Sequence, residues 1–521
     1  MASLAAAFFL LAPLLSSAFI CPSSTVGVYT SLKLRNVLLS TPSPISEEVD
    51  DKQVNNERDP SKSCATSLQR IISDIDGRPL TPEYLANAMG IDNVESYSCT
   101  DEDAFYGLMS NGGRLKLHPG GETAFYKRIV FDHLDHAREK LLKSPHKLVR
   151  DAKSYLVVAN FLSSAGCQEM VERTGVCIPK CYDAQLEPDF DNPMSSKFTF
   201  LLEDFAPKEG WYQRWLIDDL TECHAALSAM AKIHAFYWDG SDFWKDATAA
   251  QEFESAVWKS GSYIQPKAQG ADQWQKVARK WNQERWKVEE QLSTSDFWDN
   301  LGERLQSASE ECGRLAHPFA VKDLALTYKR YRTFTHGDPK SANIFFRKRK
   351  DSIQVGLIDF QWSGFGLAAT DIAHFMSAAV DASLLVDGGE KDLMQYYYDD
   401  LSEHLVDFGA YESIENVQEN FSYDVFKDQY EIAMLDICRL GKFGLNATGQ
   451  SSLLISYVLP VIAYTWSRFT ESADKTDENA CARTMNKTSY NKSIPAAVWL
   501  VSRCDEILKS RSSDKRSIVG P

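Results

Sequence analysis

The segment Thr333–Phe375, TFTHGDPKSANIFFRKRKDSIQVGLIDFQWSGFGLAATDIAHF, places three polar side chains beside short apolar stretches. Asp338 follows His-Gly, Asn343 comes five residues later, and Asp359 follows the strand-like run 353–357. A loop carboxylate can accept a proton from a hydroxyl group, and amide and carboxylate oxygens are the hard ligands that Mg²⁺ prefers. The segment therefore predicts a polar site built on two loops between short strands.

The order HGD, then Asn, then an Ile-Asp-Phe strand end resembles the aminoglycoside phosphotransferase and choline kinase group, small-molecule relatives of the protein kinases. It is most similar to the eukaryotic CHK kinase-like members, which carry DFQ in place of DFG. The resemblance implies an α+β, bilobal protein-kinase-like fold, with a small lobe of antiparallel sheet plus a helix and a large, mainly helical lobe. It also implies transfer of the γ-phosphoryl group of ATP to a hydroxyl of a small molecule, with Mg²⁺.

The resemblance assigns roles to the residues of the opening segment. Asp338 orients and deprotonates the acceptor, while Asn343 and Asp359 hold Mg²⁺. Lys340 either stabilises charge on the transferred phosphate or is a solvated loop lysine. In this family an aspartate at the position of Asp371 anchors the catalytic loop, and we expect His336 to brace that loop rather than to act as a base.

The small lobe of this family supplies a lysine that forms ion pairs with the nucleotide phosphates, and Lys127 is the candidate here. Strand alternation places Arg128 on the opposite face, which makes it the alternative. Gly112 and Gly113 close the loop 107–113, whose backbone N–H groups can lie against phosphates. Asn-Gly-Gly is equally an ordinary turn.

The helix predicted over 149–163 departs from the family pattern. Relatives carry a glutamate that pairs with the lysine, and Val158 stands at about that position. Asp151 lies seven residues earlier, on the same helix face, and is a possible substitute. A catalytically silent kinase-like protein that binds a nucleotide or another ligand is therefore the rival hypothesis.

The stretch Leu-Leu-Glu-Asp-Phe that ends at Phe205 corresponds to the hinge between the lobes, whose backbone receives adenine in the family. Glu203 and Phe205 are thus candidate nucleotide-binding residues, and an exposed edge strand is the alternative. Downstream, apolar residues repeat at helical spacing over 219–238, which predicts a long helix with His234 buried in the core. The tryptophans of the following region either fill a helical core or cage a cationic substrate; they are Trp244, Trp258, Trp274, Trp281, Trp286 and Trp298.

The N-terminus predicts targeting. Residues 5–15 form an apolar run of signal-peptide length, and 19–46 is rich in Ser and Thr without any acidic residue. The junction Ser17-Ala18-Phe19 resembles the ASAFAP-type junction of bipartite plastid presequences in diatoms and related algae. We therefore expect delivery to the plastid, with secretion or the endomembrane system as the alternative.

The chain as a whole has 521 residues, of which 44% are hydrophobic, and a formal charge of −16, which argues against nucleic acid as a partner. The eleven cysteines lack zinc-binding spacing. We interpret the apolar stretch 453–469, which contains Pro460, as a core helix, and expect no stable membrane anchor once the presequence is removed. The predicted divisions are a signal peptide (1–18), a transit peptide (19–46), a linker (47–79), a small nucleotide-binding lobe (80–205), a large catalytic lobe (206–508) and a loose tail (509–521).

Overall fold

A computed structural model describes residues 70–100, 103–106, 109–266, 271–284, 300–439 and 494–513. The predicted presequence, the apolar stretch 453–469, Trp286 and Trp298 lie outside these residues. The helices are α1 (Pro82–Met89), α2 (Asp135–Lys143), α3 (Pro145–Ser163), α4 (Ala165–Thr174), α5 (Leu220–Phe236), α6 (Ala247–Ala256), α7 (Val277–Glu284), α8 (Leu301–Ala316), α9 (Lys322–Ala325), α10 (Ala368–Ala378), α11 (Gly389–Asp407), α12 (Ile414–Asn420), α13 (Tyr423–Arg439) and α14 (Ile494–Ser513). The strands are β1 (Ser96–Ser98), β2 (Ala104–Tyr106), β3 (Asn111–His118), β4 (Thr123–Val130), β5 (Cys181–Glu187), β6 (Lys197–Glu203), β7 (Trp211–Tyr212), β8 (Thr333–Thr335), β9 (Ile344–Lys348), β10 (Ile353–Leu357) and β11 (Gly364–Gly366).

The N-terminal lobe is built on an antiparallel sheet in the order β1-β3-β4-β6-β5, with β2 paired to β3. Successive strand residues face opposite sides, so the sheet has two apolar faces. Phe200 packs with Ile129 and residues of α3 on one face, whereas its neighbour Leu201 packs with Leu85 of α1 on the other. The sheet thus lies between α3 and α1.

Helix α1 begins and ends as its sequence dictates. The Thr81 side chain accepts a hydrogen bond from the Tyr84 amide at 3.2 Å, and Pro82 occupies the first helical position. Gly90 ends the helix in the left-handed conformation with φ 66°.

The second lobe is mainly helical, and α5 lies at its centre. Asp219 caps the helix by accepting hydrogen bonds from the amides of Thr221 and Glu222. Helix α5 packs against α11, and α13 packs against both α8 and α10. The predicted long helix is therefore confirmed, and His234 lies on it with 1% of its surface exposed.

Two small sheets in this lobe carry the loops of the opening sequence. The hairpin β9–β10 pairs with β7, and β8 pairs with β11. Asp338 lies between β8 and β9, and Asp359 comes two residues after the end of β10. The α+β bilobal kinase-like fold expected from the sequence is confirmed by this arrangement.

The glycines of the small lobe lie elsewhere than expected. Strand β3 begins at Asn111, so Gly112 and Gly113 are strand residues rather than the end of a loop. They pair with Lys127 and Tyr126 of β4. A Cβ atom on Gly112 would lie 1.9 Å from the Tyr126 carbonyl oxygen, so glycine is required there for close strand approach.

Within the described ranges, no helix combines the length and the apolar character that crossing a bilayer would require.

Candidate active site

The loop between β8 and β9 is held by a buried carboxylate from α10. Asp371 Oδ2 accepts a hydrogen bond from the His336 amide at 2.6 Å, and its Oδ1 accepts one from the Gly337 amide at 3.0 Å. Gly337 has φ 80°, and a Cβ atom there would lie 2.4 Å from the Trp362 carbonyl oxygen. The geometry thus gives Asp371 the anchoring position that the sequence predicted.

Asp338 is the buried centre of this loop, with 1% of its surface exposed. Its Oδ2 accepts hydrogen bonds from Lys340 Nζ at 2.8 Å and from Asn343 Nδ2 at 3.4 Å. Burial raises the pKa of the Asp338 carboxyl, and the neighbouring Lys340 ammonium partly offsets that effect. Lys340 is therefore buried against the carboxylate, which contradicts the solvated-loop alternative.

Asn343 connects the two polar loops. Its side-chain amide donates to the Asp338 carbonyl at 2.9 Å, and its own carbonyl accepts from the Ile358 amide at 3.1 Å. His336 also reaches across, because its Nε2 lies 2.9 Å from the Ile358 carbonyl oxygen. The two halves of the sequence motif are thus brought together by hydrogen bonds, and His336 occupies a bracing position.

Asp359 has a strained backbone, with φ 69° and ψ 57° in the left-handed region. Its Oδ1 lies 3.1 Å from Lys127 Nζ, which reaches it from β4 of the other lobe. Burial alone would raise the pKa of Asp359, but the positive charges of Lys127 and Lys340 outweigh it and lower that pKa. Asp359 therefore remains charged while Asp338 is easier to protonate.

Strand alternation places the two adjacent basic residues of β4 on opposite sides of the sheet. Lys127 points toward α3 and Asp359, whereas Arg128 Nε donates to the Asp74 carbonyl at 2.7 Å on the other side of the sheet. The Lys127 ammonium also lies 5.9 Å from the centre of the Tyr155 ring, within cation–π range. Tyr155, on α3, was not anticipated from the sequence.

Helix α3 presents no acidic partner to Lys127. Val158 lines the cleft at the position expected for the family glutamate. Asp151 accepts instead from Lys140 of α2, so it does not substitute for that glutamate. The acidic partner of Lys127 in this structure is Asp359.

A small cleft lies between α3, β6 and the loop that carries Asp359. Its walls are mostly apolar, with one cation and one anion; they comprise Lys127, Tyr155, Val158, Leu162, Pro179, Phe200, Leu202, Ile358, Asp359 and Phe360. An apolar lining with a few charged groups is typical of a small-molecule site.

The predicted hinge overlaps the end of β6. Glu203 Oε2 accepts from the Lys180 amide at 3.1 Å, and its own amide bonds the Lys180 carbonyl. Phe205 is buried, stacks on Trp211 with ring centres 4.4 Å apart, and packs against Gly356 of β10. Phe205 therefore packs on strands of the second lobe with its ring in the core, whereas Glu203 is bonded to the residue before β5.

The tryptophans in the described part of this region serve mainly as packing. Trp281 is buried, and Trp244 packs on the large-lobe core. Trp258 is different, since its Nε1 donates to the Gln361 carbonyl at 2.8 Å and its ring faces Trp362. His234 bonds the Tyr397 hydroxyl at 2.6 Å and lies 3.4 Å from Asp371, as a core histidine does.

The donor set fits Mg²⁺. Asn343 uses its amide nitrogen for Asp338, which leaves its side-chain oxygen for a ligand, and Asp359 offers a charged carboxylate. No group of three or more His, Cys, Asp or Glu side chains in the described part of the chain is arranged to hold a metal ion. Mg²⁺ typically takes one or two protein oxygens and completes its shell with phosphates and water.

Three solved structures illustrate what the fold is similar to. A microcompartment-associated aminopropanol kinase is 10% identical, with a TM-score of 0.33, and the match covers 84% of this chain and 98% of that one. An ethanolamine kinase from Plasmodium vivax is 12% identical, with a TM-score of 0.31 and coverage of 78% and 86%. The amicoumacin kinase hAmiN, in complex with AMP-PNP, Ca²⁺ and Ami, is 10% identical, with a TM-score of 0.34 and coverage of 79% and 93%.

No similar sequence was found among curated proteins. The ecdysteroid kinase-like family, however, matches residues 137–410, which is more than half of the chain. That range runs from α2 to the end of α11 and contains Asp338, Asn343, Asp359 and Asp371. The chain therefore belongs to the ecdysteroid kinase-like family of phosphotransferases.

Proposed function

We propose that this protein transfers the γ-phosphoryl group of ATP to a hydroxyl of a small molecule, with Mg²⁺. One observation carries the proposal: the hydrogen bond from Ile358 to Asn343 joins the two polar loops, and Lys127 of the other lobe ends at Asp359. Hydrogen bonds thus link a proton acceptor, Asp338, to the loop of Asp359, and Asp359 and the Lys127 cation line the cleft. Phosphoryl transfer needs little more than such positioning and charge compensation.

The reaction uses Asp338 as the base. The acceptor oxygen attacks the γ-phosphorus and forms a new O–P bond, while the bond to the bridging oxygen breaks and its electron pair leaves with ADP. The hydroxyl proton passes to Asp338, whose burial favours taking it up. Lys340, held 2.8 Å from Asp338 Oδ2, orients this carboxylate and would stabilise charge on the phosphate that is transferred.

Lys127 would hold the α- and β-phosphates, and Asn343 and Asp359 would hold the Mg²⁺. When bound, the ion neutralises charge on the phosphate oxygens as the bridging bond breaks. The segment from Glu203 to Phe205 would receive the adenine.

The test is ATP turnover by the purified protein against a panel of hydroxylated amines, sugars and sterols, compared with Asp338→Asn. We expect acceptor-dependent ADP release that falls on the order of 10³-fold in the variant. Asp351→Asn, on the exposed β9–β10 turn, is a matched control that should leave turnover unchanged. Equal ADP release by wild type and Asp338→Asn across the panel would refute the proposal.

A second candidate, a catalytically silent binding protein, is favoured by Val158 in place of an acidic partner for Lys127. ATP binding measured by calorimetry together with no phosphorylated product from any acceptor would support it. The intact set of Asp338, Asn343 and Asp359 favours the kinase.

We further propose that residues 1–46 deliver the protein to a plastid. The support is the signal-peptide-like run followed by the acid-free, Ser- and Thr-rich stretch. A fluorescent fusion of residues 1–60, expressed in a diatom, should accumulate in the plastid, and its secretion would refute this proposal.

A further inference from the structure

A buried histidine on α10 faces the carboxylate that the proposed reaction uses. His374 Nε2 lies 3.6 Å from Asp338 Oδ1, and the two residues have only 3% and 1% of their surfaces exposed. His374 comes three residues after Asp371, and positions three apart lie on the same side of a helix. One helix face therefore both anchors the catalytic loop and meets its aspartate.

The two oxygens of Asp338 have different surroundings. Oδ2 accepts from Lys340 and Asn343, whereas Oδ1 is buried and accepts no hydrogen bond from the described residues. A buried carboxylate oxygen without a donor is costly, so such an oxygen marks a place where a partner arrives. The His374 ring nitrogen lies only a few tenths of an ångström beyond hydrogen-bond distance.

The His374 ring is held in this direction from the other side. Tyr263 packs against it edge to face, with ring centres 5.7 Å apart at 62°. Tyr263 belongs to the segment after α6, and its neighbour Ser262 donates from its amide to the Trp362 carbonyl at 2.9 Å. The ring is thus fixed between that segment and Asp338.

Two other carboxylates, one on α10 and one on the neighbouring α13, already have partners. Asp436 of α13 pairs with Arg439 and His317, and Asp371 of α10 bonds the catalytic loop. The Asp338 carboxylate faces the His374 ring, with Oδ1 at 3.6 Å from Nε2.

We propose that His374 is the positioning residue for the Asp338 base: its Nε2–H donates to Oδ1 in the reacting complex. A carboxylate oxygen has two lone pairs, so one can accept from His374 while the other faces the acceptor hydroxyl. With Oδ2 held by Lys340 and Oδ1 held by His374, the carboxylate cannot rotate away from the acceptor. This inference rests on the proposed kinase function, since it assigns a partner to its base.

The kinetic test compares His374→Phe, which keeps a ring against Tyr263 but removes the donor, with His374→Gln, whose amide nitrogen reaches the same place. We expect His374→Phe to lower kcat about 10- to 100-fold with KM for ATP within about twofold. His374→Gln should retain kcat within about threefold. His404→Gln, a histidine paired with Asp400 and Asp407, is the control and should match wild type.

A second measurement does not depend on turnover or on the folding of the phenylalanine variant. In protein labelled with ¹³C at histidine Cε1, the His374 signal is identified by its loss in His374→Gln. We expect Asp338→Asn to shift this signal at fixed pH and His404→Gln to leave it in place. An unmoved His374 signal in Asp338→Asn, or a wild-type kcat in His374→Phe, would overturn the inference. Absence of all phosphate transfer in wild type would instead contradict the proposed function.

Discussion

Lys127 Nζ on β4 and Asp359 Oδ1 after β10 lie 3.1 Å apart and form an ion pair between the two lobes. The side chains of Lys127 and Asp359 are 17% and 22% exposed, so water can still reach the pair. Because Val158 cannot compete for the lysine, Asp359 is its acidic partner. In the proposed reaction the Lys127 ammonium would bind the nucleotide phosphates, and the Asp359 carboxylate would bind Mg²⁺.

Replacing Lys127 with methionine should therefore affect kcat/KM for ATP more than the free energy of unfolding. We expect kcat/KM for ATP to fall on the order of 10²-fold, because a preorganised cation at the phosphates is lost. Steady-state kinetics with varied ATP measure this effect. Arg128→Met is the matched control, since Arg128 faces Asp74 on the other side of the sheet. An equal loss in both variants would contradict the assignment of Lys127.

The pH dependence of turnover should reflect the burial of Asp338. Because burial raises the pKa of this carboxyl, kcat should fall on the acid side at a higher pH than an exposed aspartate would give. Lys340 lowers the same pKa, so Lys340→Met should move the acid limb to still higher pH. Profiles of kcat against pH test the sign, with Lys348→Met on the exposed end of β9 as control. If the acid limb of the Lys340→Met profile moved to lower pH, the inference that Lys340 lowers the pKa of Asp338 would be wrong.

Gly112→Ala should be destabilising. The new methyl group would lie 1.9 Å from the backbone oxygen of Tyr126, so β3 and β4 must separate. We expect a loss of about 1–3 kcal/mol, together with a higher KM for ATP because Lys127 pairs with Gly112 across the strands. Urea unfolding and ATP kinetics measure the two effects. Asn111→Ala, at the exposed start of β3, should behave like wild type, and a wild-type Gly112→Ala would refute the close approach.

Asp436→Asn should weaken the large lobe. Asp436 accepts from Arg439 Nε at 2.6 Å and lies 3.0 Å from His317 Nε2, and all three are buried. Burial opposes the charge, but Arg439 and His317 lower the pKa of Asp436. Its contribution to the free energy of unfolding is present above its unfolded pKa and is lost as pH falls.

Removing this charge leaves the buried Arg439 unpaired, so we expect a loss of about 3–5 kcal/mol at neutral pH. Thermal and urea unfolding measure it. Asp407→Asn, whose partner His404 lies near the surface, should change stability by less than about 1 kcal/mol. Equal stability of Asp436→Asn and wild type would show that the cluster contributes nothing.

Local chemistry made part of the fold predictable. The helical spacing over 219–238 acts within a few residues, and the structure has that helix as expected. The prediction that Gly112 and Gly113 close a loop was wrong, because Asn-Gly-Gly is a turn signal when only the local sequence is considered. Pairing with β4 overrides that signal and makes Gly112 a strand residue.

The sequence by itself determined the kinase-like order of Asp338, Asn343 and Asp359, because their types and spacing are local properties of the chain. Only the tertiary structure decided their partners. That Lys127 pairs with Asp359, that Asp151 is committed to Lys140, and that His374 faces Asp338 all depend on distant segments meeting. The physical reason is that a buried charge takes whichever partner packing brings within a few ångströms, and packing is a property of the whole chain.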